Sequence, residues 1–178
     1  MQPVDIKDIA PILSGAIGAL ATLLAVAVTN FFNFRVAKLN LDAQRLQRSE
    51  ELKLEKLEEL FFLFDKWQIN FSNVYLCHLR CYKGELPFRD VLETIKGFTL
   101  LAPGEAQKYK MILEVHFPAL RTAYSPVEAA RQKIAPFLSD PSVSKLSAED
   151  FVNAQVAFEE ACEEFKTCIS SLVQRPRS

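Results

Sequence analysis

From Ile9 to Phe34 the chain reads IAPILSGAIGALATLLAVAVTNFFNF, without one charged residue. A helix that crosses a bilayer needs about 20 mostly apolar residues at about 1.5 Å each. Ile9 to Thr29 already meets that length, leaving Asn30 and Asn33 near an interface among Phe31, Phe32 and Phe34. No polar face exists to meet water, as the surface helix of a globular protein would require. Pro11 sits close to the start, where its missing N–H would lack a helical partner in any case. The run predicts a transmembrane helix over 9–34. A cleaved signal peptide fits less well despite the Ala25-Val26-Ala27 triplet. The leader MQPVDIKD carries Asp5, Lys7 and Asp8 instead of a positive start, and the apolar run exceeds the usual length.

Basic residues near the ends of a span set its orientation. Lys7 stands with two aspartates on one side, whereas Arg35, Lys38, Arg45 and Arg48 follow on the other against Asp42 alone. The expected topology places residues 1–8 outside and residues 35–178 in the cytoplasm, at the cell inner (plasma) membrane. Four cysteines, at 77, 81, 162 and 168, are too scattered for a disulfide framework and fit a reducing compartment. The same four basic residues can attract anionic lipid headgroups.

Small residues recur within the span at helical spacing: Ser14, Gly18 and Thr22, then Ala21, Ala25 and Thr29, with Gly15 and Ala19 beside them. Such rows let helix backbones approach closely, so homo-oligomerisation through Ser14, Gly15, Gly18, Ala19, Thr22 and Ala25 is expected. No acidic, basic or histidine residue lies inside the span, which argues against a proton or ion path.

Beyond the span, two rows recur every seven residues. Val36, Ala43, Glu50, Leu57, Phe64, Phe71 and His78 form one, and Leu39, Leu46, Lys53, Leu60, Trp67, Val74 and Cys81 the other. Adjacent rows of this kind make a coiled-coil-like seam. Glu50 and Lys53 interrupt it within RSEELKLEKLEE. The pattern predicts a charged stalk helix over 35–56 and a wider buried face from Leu57, where Phe61, Leu63, Tyr75 and Leu79 join the stripe.

Pro87 suits a helix start, with Phe88, Val91, Leu92 and Ile95 as the buried face of a short helix. Ala102-Pro103-Gly104 signals a turn, then Tyr109, Ile112, Leu113, Phe117 and Leu120 form a third stripe. Pro118, Pro126 and Pro136 each remove an amide donor, so kinks or two successive helices, broken near Ser125-Pro126, are expected. Ser139 to Leu146 reads as a loop. Ser147 then caps a final helix whose stripe is Phe151, Ala154, Phe158, Cys162, Phe165, Ile169 and Leu172. The expectation is an all-α protein: a single span, a stalk, an antiparallel bundle of about four helices over 57–174 and a basic tail at 175–178.

Sequence signals for chemistry are weak. Cys77 and Cys81 lie one turn apart with His78 between them, but the spacing matches no standard zinc motif, and buried free cysteines behave as small hydrophobes. His78 falls on the seam and His116 beside Phe117, as packing histidines do. No Glu-x-x-His pair, nucleophile elbow, Walker loop or dinucleotide fingerprint occurs. Glu159, Glu160, Glu163 and Glu164 read as a solvated helix face. A net charge of -1 excludes a generally basic nucleic-acid binder. The expected function is therefore non-enzymatic, with no metal, cofactor or small-molecule substrate. It is protein–protein interaction at the cytoplasmic membrane face, with Phe62, off the main seam, as the partner anchor. The alternative is a membrane-active effector, of toxin, phage-exclusion, antiviral-defence or holin-like type, acting through its self-associating span.

Overall fold

The computed structural model describes residues 6–97 and 100–174, with side chains between Ser14 and Val173. The stretch before Ile6 and the basic tail at 175–178 lie outside the described residues. Everything regular within them is helical, without a strand. The first helix, α1, runs from Ile6 to Tyr82. The apolar run, the charged stretch after it and the first core segment are thus one continuous helix. Glu50 and Lys53 interrupt the apolar rows without disturbing the backbone, because Glu and Lys are both good helix formers.

Two compact units divide the chain, one up to Glu51 and one from Leu52. In the first, every described side chain is exposed. In the second, the part of α1 from Leu57 is joined by α2 (Val91–Lys96), α3 (Glu105–Val115), α4 (Arg121–Ile134), α5 (Pro141–Ser144) and α6 (Ala148–Gln174). Short 3-10 turns at Phe88–Asp90, Pro118–Leu120 and Ala135–Leu138 precede α2, precede α4 and follow α4.

The end of α1 is set by Gly84, whose φ of +72° lets the chain turn back so that the Glu85 N–H donates to the Arg80 carbonyl at 2.8 Å. Gly104, at φ +90°, performs the equivalent turn into α3. At the last helix the Asp150 N–H donates to Ser147 Oγ at 3.0 Å, the expected cap.

The core of this second unit is aromatic. Phe64, fully buried, packs edge-on against Phe165 at 4.8 Å and stacks on Trp67 at 5.5 Å between centroids. Tyr109 and Tyr124 approach it from α3 and α4. Farther along, Tyr75 meets Phe158 and Tyr82 meets Phe151. Partners climb α1 from Phe64 to Tyr82 as they descend α6 from Phe165 to Phe151, so the two helices run in opposite directions.

Three local expectations are corrected. Of the short helix's expected face, Phe88 and Leu92 are exposed, Leu92 at 71%, and only Val91 is buried, because six residues are too short to turn a full stripe inward; Phe61 of the wide face is likewise exposed. The chain does not break at Ser125-Pro126; α4 runs through Pro126. A proline inside a helix costs about 3 kcal/mol, and burial of Tyr124, Val127, Ala130 and Ile134 offsets it. The break comes earlier, where Phe117 leaves helical geometry ahead of Pro118. Lastly, the stretch from Ser139 to Leu146 contains one helical turn, α5, because the Asp140 carboxylate accepts both the N–H and the hydroxyl of Ser142.

Candidate membrane anchor and interaction surface

The apolar part of α1 contains an 18-residue window of mean hydropathy 1.8, none of it buried, and is long and apolar enough to cross a membrane. Ser14, Gly15, Gly18, Ala19, Thr22 and Ala25 are all exposed. The Thr22 hydroxyl donates to the Gly18 carbonyl at 2.9 Å, so it is satisfied within its own helix. A Cβ placed on Gly15 or Gly18 would meet nothing within 4 Å, so both leave the helix surface open. At the end of the apolar run the Arg35 guanidinium lies 5.1 Å from the centre of the Phe31 ring, a cation–π contact. Arg35, Lys38, Arg45 and Arg48 are exposed.

In the second unit, charge pairs fasten the flanks of α1. Lys66 meets Glu105 of α3 at 2.6 Å, and Lys56 and Lys108 both reach Glu59. On the other flank Lys166 of α6 bridges Asp65 at 2.9 Å and Glu163 at 2.7 Å, while the Gln68 amide donates to Glu163. Hydrogen bonds from these lysines hold Glu59, Glu105 and Glu163 below the usual carboxylate range. Burial alone would lower the Lys166 ammonium, but its two carboxylates keep it above the ordinary lysine value. Glu163 lies on the solvated face expected of it and also takes part in this clasp. Glu160 and Glu164 are exposed, and Glu159 accepts from Gln155.

Between these flanks the outer face of α1 carries Phe62, Ile69 and Leu76, spaced by seven and all exposed, Phe62 at 64%. Between α1 and the end of α6, a groove of about 330 Å³ is lined by Leu57, Glu58, Phe61, Ile169, Ser170 and Val173. No sequence signal pointed to this groove, since its walls come from two helices far apart in the chain.

The cysteine and histidine positions are mostly interior. Cys77 and Cys162 are buried, and burial pushes both thiols up, Cys162 to about 12. His78 is 7% exposed, lies against Phe88, and its buried Nδ1 finds no hydrogen-bond partner among the described residues. Burial pulls its pKa below 6.5. His116 is exposed at the end of α3. Sequence reasoning also missed the Tyr109–Tyr124 hydroxyl pair, 2.8 Å apart inside the core.

Comparison with protein-family models, with curated proteins and with solved structures returns no match.

Proposed function

We propose that this is a single-pass membrane protein whose α-helical domain works by binding another protein at the cytoplasmic face, without catalysis. The observation that carries the reading is the uncharged apolar segment of α1, exposed at every described side chain. Left in water, that much apolar surface would drive aggregation; in a bilayer it is at its lowest free energy. The basic flank of Arg35, Lys38, Arg45 and Arg48 supports a cytoplasmic C-terminal side and contact with anionic headgroups. The packed part from Leu57 is read as an antiparallel bundle of about four helices, joined to the span through the 35–56 stalk. Anchoring confines it to a surface, where effective concentration makes a modest contact sufficient. Phe62 is the proposed anchor for the partner, a large exposed ring flanked by fixed charge pairs. Self-association through the small-residue face of the span belongs to the same reading.

A photo-crosslinking residue at Phe62, compared with one at Leu92 in the full chain, tests it. A discrete adduct at 62 and none at 92 is expected, and no adduct at 62 would remove the anchor. The open helix surface at Gly15 and Gly18 favours one second reading, an effector that acts through the span. Depolarisation of expressing bacteria by the unsubstituted chain, but not by Gly15→Leu/Gly18→Leu at matched membrane levels, would select the effector. An unchanged potential, with a Leu-rich span tolerated in exchange, would select the scaffold.

A further inference from the structure

The two rows that line the core from Leu57 onward extend backwards, in unbroken seven-residue register, along the exposed part of α1. One passes through Gly15, Thr22, Thr29, Val36 and Ala43; the other through Gly18, Ala25, Phe32, Leu39 and Leu46. From Leu57 the same rows are buried or half-buried by the rest of the second unit, whereas all of these earlier positions are exposed in the single chain.

We propose that the Val36–Leu39–Ala43–Leu46 face pairs with the same face of a second copy, forming a parallel two-stranded coiled coil continuous with the paired spans. The proposal rests on the membrane-anchored reading above. Four features single out a second copy as the occupant. The seam changes character where the apolar run ends. Up to Thr29 it is small, as close packing in lipid requires, and from Phe32 to Leu46 it is bulky except at Ala43, as burial in water rewards. Large side chains (Ile17, Leu20, Leu23 and Leu24) occupy the opposite side of the helix. Only a helix that crosses the same membrane in the same direction matches both halves in one register.

The composition of the seam also sets the number of strands. Val36 in one row with Leu39 and Leu46 in the other is the combination that favours two. Charge does not oppose pairing: Lys38, Arg45 and Arg48 lie on the back of the helix, and the positions flanking the seam from Asn40 to Ser49 are Asn40, Asp42, Gln47 and Ser49. In a parallel pair, Asp42 of one copy faces Gln47 of the other. Finally, the seam stops itself. Glu50 and Lys53 would each meet their own like charge across the symmetry axis, so pairing ends before the separate core begins at Leu57. A straight helix lets a seven-residue seam drift by about 20° per repeat, which a gentle left-handed winding of the two copies takes up.

Single cysteines at Val36, Leu39, Ala43 and Leu46, and at Lys38, Leu41 and Arg45, in the full chain in native membranes, test this. Copper-phenanthroline oxidation supplies the cross-link, and the unsubstituted chain with its four native cysteines is the blank. Dimer-sized product is expected at the first four positions and at blank level for the last three. Equal yield at every position, a maximum at Lys38, Leu41 or Arg45, or adducts of another mass would overturn the proposal. Leu39→Glu/Leu46→Glu lies outside the folded core and should abolish the Val36→Cys product; a persistent product would count against the seam. Alkaline carbonate extraction of the same samples separates the two levels. A chain released to the soluble fraction refutes the membrane anchor and this pairing with it, whereas a retained chain with a flat profile refutes the pairing alone.

Discussion

Inside the second unit, the Tyr109 and Tyr124 hydroxyls have each other and an aromatic wall around them. Burial pushes both phenols well above their ordinary pKa, so the pair is neutral and one hydroxyl donates to the other. Removing one partner leaves the other buried without a bond, which costs about 1–3 kcal/mol, whereas removing both leaves two rings of nearly native shape. Tyr109→Phe and Tyr124→Phe should therefore each destabilise by about 1–3 kcal/mol. The double variant should lose less than the sum, read as a double-mutant cycle in urea unfolding. Strict additivity would show that the hydroxyls do not act as a pair. The sequence offers both tyrosines as core residues, but nothing in a spacing of fifteen says that their hydroxyls converge.

At the scale of elements, helix starts are the features most legible from local chemistry. Ser147 followed by Ala148, Glu149 and Asp150 reads as a cap, and the Asp150 N–H does donate to the Ser147 hydroxyl. Ser147→Ala should cost about 1 kcal/mol, with Ser147→Asn near neutral, measured as the shift of the urea midpoint at constant slope. An unchanged midpoint for Ser147→Ala would mean that packing of Phe151 alone fixes where α6 begins. Helix breaks are less legible. Pro126 and Pro118 carry the same covalent defect, yet α4 runs through the first and the chain turns at the second. The difference is the buried stripe around Pro126, a tertiary quantity. Leu92 shows the same limit in reverse: its spacing is that of a buried residue, but a helix of six residues has no opposing surface to cover it.

For the molecule as a whole, pH reports on two sets of groups in separate windows. The pKa of His78 in the folded chain lies below 6.5, so between 6.5 and that lower value the unfolded state binds the proton and the folded state does not. Stability is complete above 6.5 and falls as pH descends toward the folded value. Glu59, Glu105, Glu163 and Asp140 are also lowered, so their contribution is present above their unfolded values of about 4.5 and 3.8 and disappears only as pH falls through the folded ones. Urea midpoints of the full chain in detergent should therefore decline in two stages. His78→Leu should remove the stage that begins near 6.5 and leave the acidic one. A first stage that survives in His78→Leu would assign it to another group.

What the sequence determines by itself is whatever local chemistry decides: that the chain is helical, that one stretch is long and apolar enough to cross a membrane, where the last helix is capped, and most of the inward stripe of the longer helices. Those properties follow from composition and a 3.6-residue period acting over one or two turns. Tertiary structure alone decides that Lys166 clasps Asp65, that His78 is buried against Phe88, and that a groove opens between Leu57 and Val173. Each of these depends on side chains brought together from distant helices. Side-chain spacing within one helix carries no information about which neighbour arrives opposite it, because that is set by how all the apolar stripes share one core.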